Sequence, residues 1–216
     1  MIILLGGEKG GTGKSTMATN LAVMHRVIAN GEIILLDADK QATCAAWATI
    51  RDSTHLPRIP CVQRFGKTIH IEAQALEEKY GTVIIDCGGR DSVELRSSML
   101  VSDKFYTPLK PSQFDVWTLE TLNDLLENAR IINPGLNATV FINQANPNPK
   151  VAETTDTRAV IQDFEHLRLS PVTIRERIAF RKAGRDGMAV IENKPVDRKA
   201  LDETLQLYKE VFDGPE

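Results

Sequence analysis

Apolar residues fall along this chain in two rhythms. Short unbroken runs at Ile2–Leu5, 33–36, 82–85, 105–109 and 138–142 alternate with longer segments in which apolar side chains recur every three or four residues. An unbroken run suits a strand covered on both faces, whereas the longer spacing places one helical stripe against a core. The periodic segments predict helices over 15–29, 42–50, 69–79, 116–132, 151–164 and 195–212. Stop signals stand where they should, at Asn30-Gly31, Tyr80-Gly81 and Asn133-Pro134-Gly135. Strands alternating with helices predict a doubly wound α/β fold, a mostly parallel sheet flanked by helices in three layers. No repeat or low-complexity segment interrupts it, and the loops are short except at 53–58 and 143–150, the second being the one expected to move. A chain of 216 residues can fill one core well, so a single domain over 1–216 is expected.

The first strand runs into Gly6-Gly7-Glu8-Lys9-Gly10-Gly11-Thr12-Gly13-Lys14-Ser15-Thr16, which opens the first helix. Glycines let backbone N–H groups turn inward around a phosphate, and the helix adds its positive N-terminal end. Lys14 then reaches the β and γ oxygens, Ser15 is placed to ligate Mg²⁺, and Thr16 can donate to the α-phosphate. Gly10, Gly11, Thr12 and Gly13 supply the cradle. The usual spacing G-x-x-x-x-G-K-[ST] would put a glycine at position 8, where Glu8 stands. Lys9 is the informative departure. An extra cation on the rim can neutralise charge on the γ-phosphate, and so close to Lys14 it is better placed to reach the nucleotide of a facing subunit.

Two more strands end in acid. The run at 33–36 leads into Asp37-Ala38-Asp39, whose carboxylates, two residues apart, can face the same side at the strand's carboxyl end. One can support the Mg²⁺ shell and the other orient the attacking water; Asp39, further out, is favoured for the water. The run at 82–85 ends in Asp86, the Walker B pattern for an Mg²⁺ carboxylate, and Cys87-Gly88-Gly89-Arg90-Asp91 follows as a backbone-exposed stretch suited to sensing a γ-phosphate.

Together these residues resemble the ParA/MinD family of deviant-Walker ATPases, and most closely its small plasmid-partition ParA proteins. The matching pieces are Lys9 to Ser15, Leu35-Leu36-Asp37-Ala38-Asp39-Lys40-Gln41 and Val83–Asp86, then 107–117, and finally Thr173-Ile174-Arg175-Glu176-Arg177 through Ala183, Gly187 and Val190–Glu192. The resemblance implies a P-loop fold, Mg²⁺ and ATP as ligands, and an ATP-dependent sandwich homodimer with slow hydrolysis to ADP and phosphate. It implies that Lys9 reaches across the dimer, that Asp39 places the water, and that Asn143 lies where the family contacts adenine. It further implies non-specific double-stranded DNA binding by the ATP dimer, release by a ParB-like or cargo-adaptor protein, and partition or positioning of a plasmid, chromosome region or other cargo. Gly88-Gly89 in place of a common proline pair, and Lys40 in place of proline, depart from the pattern.

Charge refines this picture. The net charge of −3, with 42% hydrophobic and 25% charged residues, describes an ordinary soluble protein rather than a nucleic-acid binder. Cations nevertheless cluster locally, Arg175, Arg177, Arg181, Lys182 and Arg185 standing against a single Glu176. On a helix these would form a stripe that neutralises phosphates without reading bases. Cys44, Cys61 and Cys87 are widely spaced with no C-x-x-C, as expected of buried or semi-buried thiols in a reducing cytosol rather than a zinc or disulfide framework. The short apolar start lacks a basic leader, so a cytoplasmic location, nucleoid-associated if DNA binds, is expected. The acidic last residues argue against a MinD-like membrane tail, three tyrosines against a tyrosine-kinase tail, and the cysteine spacing against an iron–sulfur carrier. The alternative kept open is a positioning or conjugation-linked switch that acts on a protein cargo or the membrane without DNA.

Overall fold

Each unbroken apolar run forms a strand, and each strand hands its residues alternately to two cores. In chain order the elements are β1 (Ile2–Leu5), α1 (Lys14–Ile28), β2 (Ile34–Asp37), α2 (Thr43–Asp52), β3 (Cys61–Gln63), α3 (Ile69–Tyr80), β4 (Val83–Asp86) and α4 (Val93–Met99). There follow β5 (Lys104–Leu109), α5 (Thr118–Ile132), β6 (Asn137–Ala145), α6 (Glu153–Ile161), β7 (Arg168–Arg175), α7 (Ile178–Arg185), a 3₁₀ turn (Val190–Glu192) and α8 (Arg198–Phe212). The computed structural model describes residues 1–89, 91–112, 118–148, 151 and 153–213. Arg90, residues 113–117, Pro149, Lys150, Ala152 and the acidic Gly214-Pro215-Glu216 therefore lie outside the described residues, along with the sequence expectations that fall on them.

The strands form one sheet in the order β3-β2-β4-β1-β5-β6-β7, and every described pairing is parallel. Ile2, Leu4, Ile34, Leu36, Val83 and Ile85 face a core built with Ile69, Ala73, Leu95, Met99, Leu119 and Leu122 from α3, α4 and α5. Ile3, Leu5, Leu35 and Ile84 face the opposite core, with Met17 and Leu21 of α1, Trp47 of α2 and Leu207 of α8. Burial on both faces is what the unbroken runs require. The sheet order reverses about β1, so the loop after β1 lies at the topological switch point. Leu5 and Asp37 both pair in register with Asp86, which brings the ends of β1, β2 and β4 side by side. No helix among the described residues is long and apolar enough to cross a membrane.

Five elements lie outside the sequence expectations. β3 is three residues long at one edge, too short to show a period. β7 contains Pro171, which argues against a central strand; it is the opposite edge strand, where a missing donor is tolerated. α4 is only seven residues long, too short for its Leu95 and Met99 to establish a period, and its start is fixed by Ser92, whose Oγ accepts from Leu95 N at 3.1 Å. α7 and the 3₁₀ turn complete the set. Expected ends also move. The last helix starts at Arg198 because the Asp197 carboxylate caps Ala200 N at 3.1 Å, and the helix expected over 151–164 is Glu153–Ile161.

Candidate active site

The loop between β1 and α1 wraps its backbone around an open centre. Gly13 takes φ 96°, and a Cβ on it would sit 2.3 Å from Asn143 Nδ2, so both conformation and space demand glycine there. Two side chains from the end of β6 hold the loop from behind: Asn143 Nδ2 donates to Thr12 O at 2.6 Å and Gln144 Nε2 to Gly11 O at 3.1 Å. Gln144 itself adopts φ 54°, an uncommon conformation for a non-glycine residue. Lys14 is buried and donates to Lys9 O at 2.8 Å. Burial pushes its pKa down, opposed by Asp86 and Asp39. Lys9, Gly10 and Gly11 are exposed on the rim, Thr12 is buried, and Ser15 and Thr16 are half-buried at the first turn of α1.

Three carboxylates gather beside this loop in different settings. Asp37 is fully buried, accepting Asp39 N (3.1 Å) on Oδ1 and Ala45 N (2.9 Å) on Oδ2. It thus braces the start of α2 as well as standing next to Asp86; burial raises its pKa. Asp39 is half-buried and accepts Gln41 N on Oδ1 at 2.9 Å. Asp86 is fully buried, and its Oδ2 accepts the Cys44 thiol at 3.1 Å. Burial, reinforced by Asp37, raises the Asp86 pKa to about 6, while the nearby Ser15 hydroxyl, the Cys44 thiol and the charge of Lys14 pull the other way. Its Oδ1 is buried without a hydrogen-bond partner among the described residues. A buried carboxylate oxygen left open beside a serine hydroxyl is an all-oxygen donor set, and it fits Mg²⁺.

Gly88 and Gly89 have a spatial reason. A Cβ on Gly88 would lie 3.0 Å from Asp39 Cγ, and one on Gly89 2.9 Å from both Gly10 N and Lys9 C. The chain after Asp86 therefore passes against the phosphate loop and the Asp39 carboxylate, closer than any side chain permits.

The five cations resolve into two groups, and the expected single stripe is corrected. Arg175 ends β7 and Arg177 is the extended residue capping α7, so neither lies on the helix with Arg181, Lys182 and Arg185. Both turn to Glu203 of α8: Arg175 Nη1 donates to Oε1 at 3.0 Å, Arg177 Nη2 to Oε1 at 2.5 Å and Arg177 Nε to Oε2 at 3.2 Å. Glu203 lies far along the sequence, so a local count of charges misses it. Arg181, Lys182 and Arg185 remain exposed, although Arg185 also pairs with Asp186 (2.8 Å) and Arg181 with Glu176 (3.4 Å). Arg175, Arg177 and Arg181 line a cavity of about 190 Å³ with Gly13, Thr16, Asn143 and Phe180, directly beside the first turn of α1. Asn143 borders this cavity, and its amide nitrogen also supports the loop through Thr12 O.

Sequence reasoning missed Gln144, Cys44 and Glu203. No local signal marked them, because each acts on a residue more than 25 positions away.

The geometry has counterparts among known proteins. A family model described as the CobQ/CobB/MinD/ParA nucleotide binding domain matches residues 3–190. Maintenance of carboxysome distribution protein A of Halothiobacillus neapolitanus is 26% identical over 207 residues, covering 94% of this chain and 93% of that one. McdA of Cyanothece, in an ATP complex, superposes with a TM-score of 0.79 at 14% identity over 100% of this chain and 97% of that chain. A plasmid partition protein of Borrelia burgdorferi does so with a TM-score of 0.68 at 18% identity over 99% and 98%. The two structural likenesses speak for the fold alone, whereas the family model spans most of the chain. The chain therefore belongs to the CobQ/CobB/MinD/ParA family of nucleotide-binding domains, as the motifs at Lys9 to Ser15, Asp37 to Gln41 and Asp86 implied.

Proposed function

We propose that this protein is an ATPase that closes into a dimer on ATP, binds double-stranded DNA without sequence preference, and positions a cargo through slow, adaptor-stimulated hydrolysis. The observation that carries the reading is the open, buried Oδ1 of Asp86 beside a glycine-bounded loop that presents Lys14 and Ser15. Loop N–H groups and Lys14 hold the β and γ phosphates, and Thr16 meets the α-phosphate. Ser15 and Asp86 would hold Mg²⁺, with Asp37 fixing the strand end beside them, and the ion would supply charge neutralisation to the phosphate oxygens. Asp39, pinned by Gln41 N, orients the water. Lys9, exposed at the rim, reaches the nucleotide of the facing copy, where its charge stabilises the transition state.

Arg181, Lys182 and Arg185 supply the DNA face, and dimerisation doubles it, so that ATP gates a salt-sensitive contact. For the cargo, the relative named for carboxysome distribution favours a protein assembly over a plasmid. The test is fluorescence anisotropy of a labelled random-sequence duplex with ATP, ADP or no nucleotide at two salt concentrations. Binding that needs ATP, weakens with salt and drops at least tenfold in the Arg181→Ala/Lys182→Ala variant supports the DNA reading. Hydrolysis without DNA binding in any state replaces it with a switch that acts on a protein partner.

A further inference from the structure

Cys44 occupies an unusual place for a thiol. It is the second residue of α2, completely buried, and its Sγ lies 3.1 Å from Asp86 Oδ2. That is a hydrogen-bond separation, shorter than an apolar contact between sulfur and oxygen. The carboxylate is thereby asymmetric: Oδ2 carries the thiol, and Oδ1, equally buried, carries nothing among the described residues. One residue further on, Ala45 N donates to Asp37 Oδ2 at 2.9 Å. Asp37 and Asp86 pair in register on adjacent strands, so the first turn of α2 grips both carboxylates from one side.

The terminal torsion of an aspartate is soft, and the two oxygens exchange places readily unless something distinguishes them. A buried donor on one oxygen does so. A thiol is a weak, uncharged donor, so it fixes the rotation without drawing off the negative charge that a metal shell needs, as an arginine would. Partners of this kind around a ligand carboxylate tune metal affinity without touching the metal. We propose that Cys44 is a positioning residue for metal-dependent nucleotide binding, its thiol holding Asp86 Oδ2 so that Oδ1 faces the Mg²⁺ shell. The proposal rests on the reading of Asp86 as an Mg²⁺ carboxylate.

The experiment titrates Mg²⁺ against a fluorescent ATP analogue bound to the full chain, in the native protein and in the Cys44→Ala, Cys44→Ser and Asp86→Ala variants. Affinity for the analogue in EDTA and the melting temperature are measured alongside, to expose damage to packing. Cys44→Ala is expected to raise the Mg²⁺ midpoint about tenfold, in line with the effect of losing an outer partner. Cys44→Ser, which keeps a donor, is expected to return within about twofold of the native midpoint, with metal-free affinity steady throughout. An unchanged midpoint in Cys44→Ala overturns the proposal, as does an equal shift in Cys44→Ser or a shift matched by lost affinity in EDTA. If Asp86→Ala keeps the native Mg²⁺ response, the Asp86 reading itself falls and takes the Cys44 role with it.

Discussion

Gly13 couples backbone shape to ligand capacity. Its φ of 96° and the approach of Asn143 Nδ2 leave no room for a Cβ, which would lie 2.3 Å away. An alanine there must either leave the left-handed region or push Asn143 off Thr12 O, and both distort the cradle for the phosphates. Gly13→Ala is expected to weaken ATP-analogue binding at least tenfold, about 1.4 kcal/mol, while the far-UV circular dichroism spectrum stays native. Native affinity in that variant would mean that the loop tolerates a different path. The need for glycine at 13 was legible in the sequence, since a glycine-rich turn before a helix has few other uses. The need at 88 and 89 was not: their neighbours are Asp39, Gly10 and Lys9, about fifty to eighty positions away, and only the folded chain shows the contact. Cys44 is a similar case. In sequence it is a lone thiol on a helix, and its partner Asp86 appears only when β2 and β4 lie side by side.

Elements with a strong period were legible, and elements defined by their neighbours were not. β1, β2, β4, α1 and α5 follow directly from the apolar pattern, each end shifting by a few residues at most. β7 was hidden by Pro171 and its polar residues, which are compatible with a strand only at the sheet edge. The basic stripe was misread for the same reason, because the turn from β7 into α7 puts Arg175 and Arg177 on Glu203 and not on the helix face. Tertiary ties also fix α2, which carries Cys44 and Ala45. Trp47 Nε1 donates to Met188 O at 3.2 Å, and the Arg51 guanidinium, fully buried, donates to Glu192 at 2.9 and 2.7 Å and to Gly187 O at 2.9 Å. Removing the cation leaves Glu192 nearly buried without its counter-charge. Arg51→Met is therefore expected to lower the unfolding free energy by about 3–5 kcal/mol, read from the urea midpoint; a change below about 1 kcal/mol would show that the pair contributes little beyond its packing.

At the scale of the whole molecule, the sheet order sets what the site can do. Reversal about β1 opens a crevice at the carboxyl ends of the strands, and the acids that end β2 and β4 fall into it beside the loop after β1. Lys9 lies on the exposed rim of that crevice and Asp39 is half-buried, and in the proposed dimer this rim meets the facing copy. Of the exposed cations of α7, Arg181 borders the cavity that Gly13 and Thr16 also line. In the proposed cycle ATP binding closes the dimer and pairs the DNA faces, and hydrolysis resets both. Sedimentation velocity of the Asp39→Ala variant, with Mg²⁺-ATP, with Mg²⁺-ADP and without nucleotide, tests this directly. The account predicts a stable dimer with Mg²⁺-ATP alone, monomer in the other two conditions, and loss of the dimer when Lys9→Ala is added. A variant that stays monomeric with ATP bound, or a dimer indifferent to nucleotide and to Lys9, would contradict it.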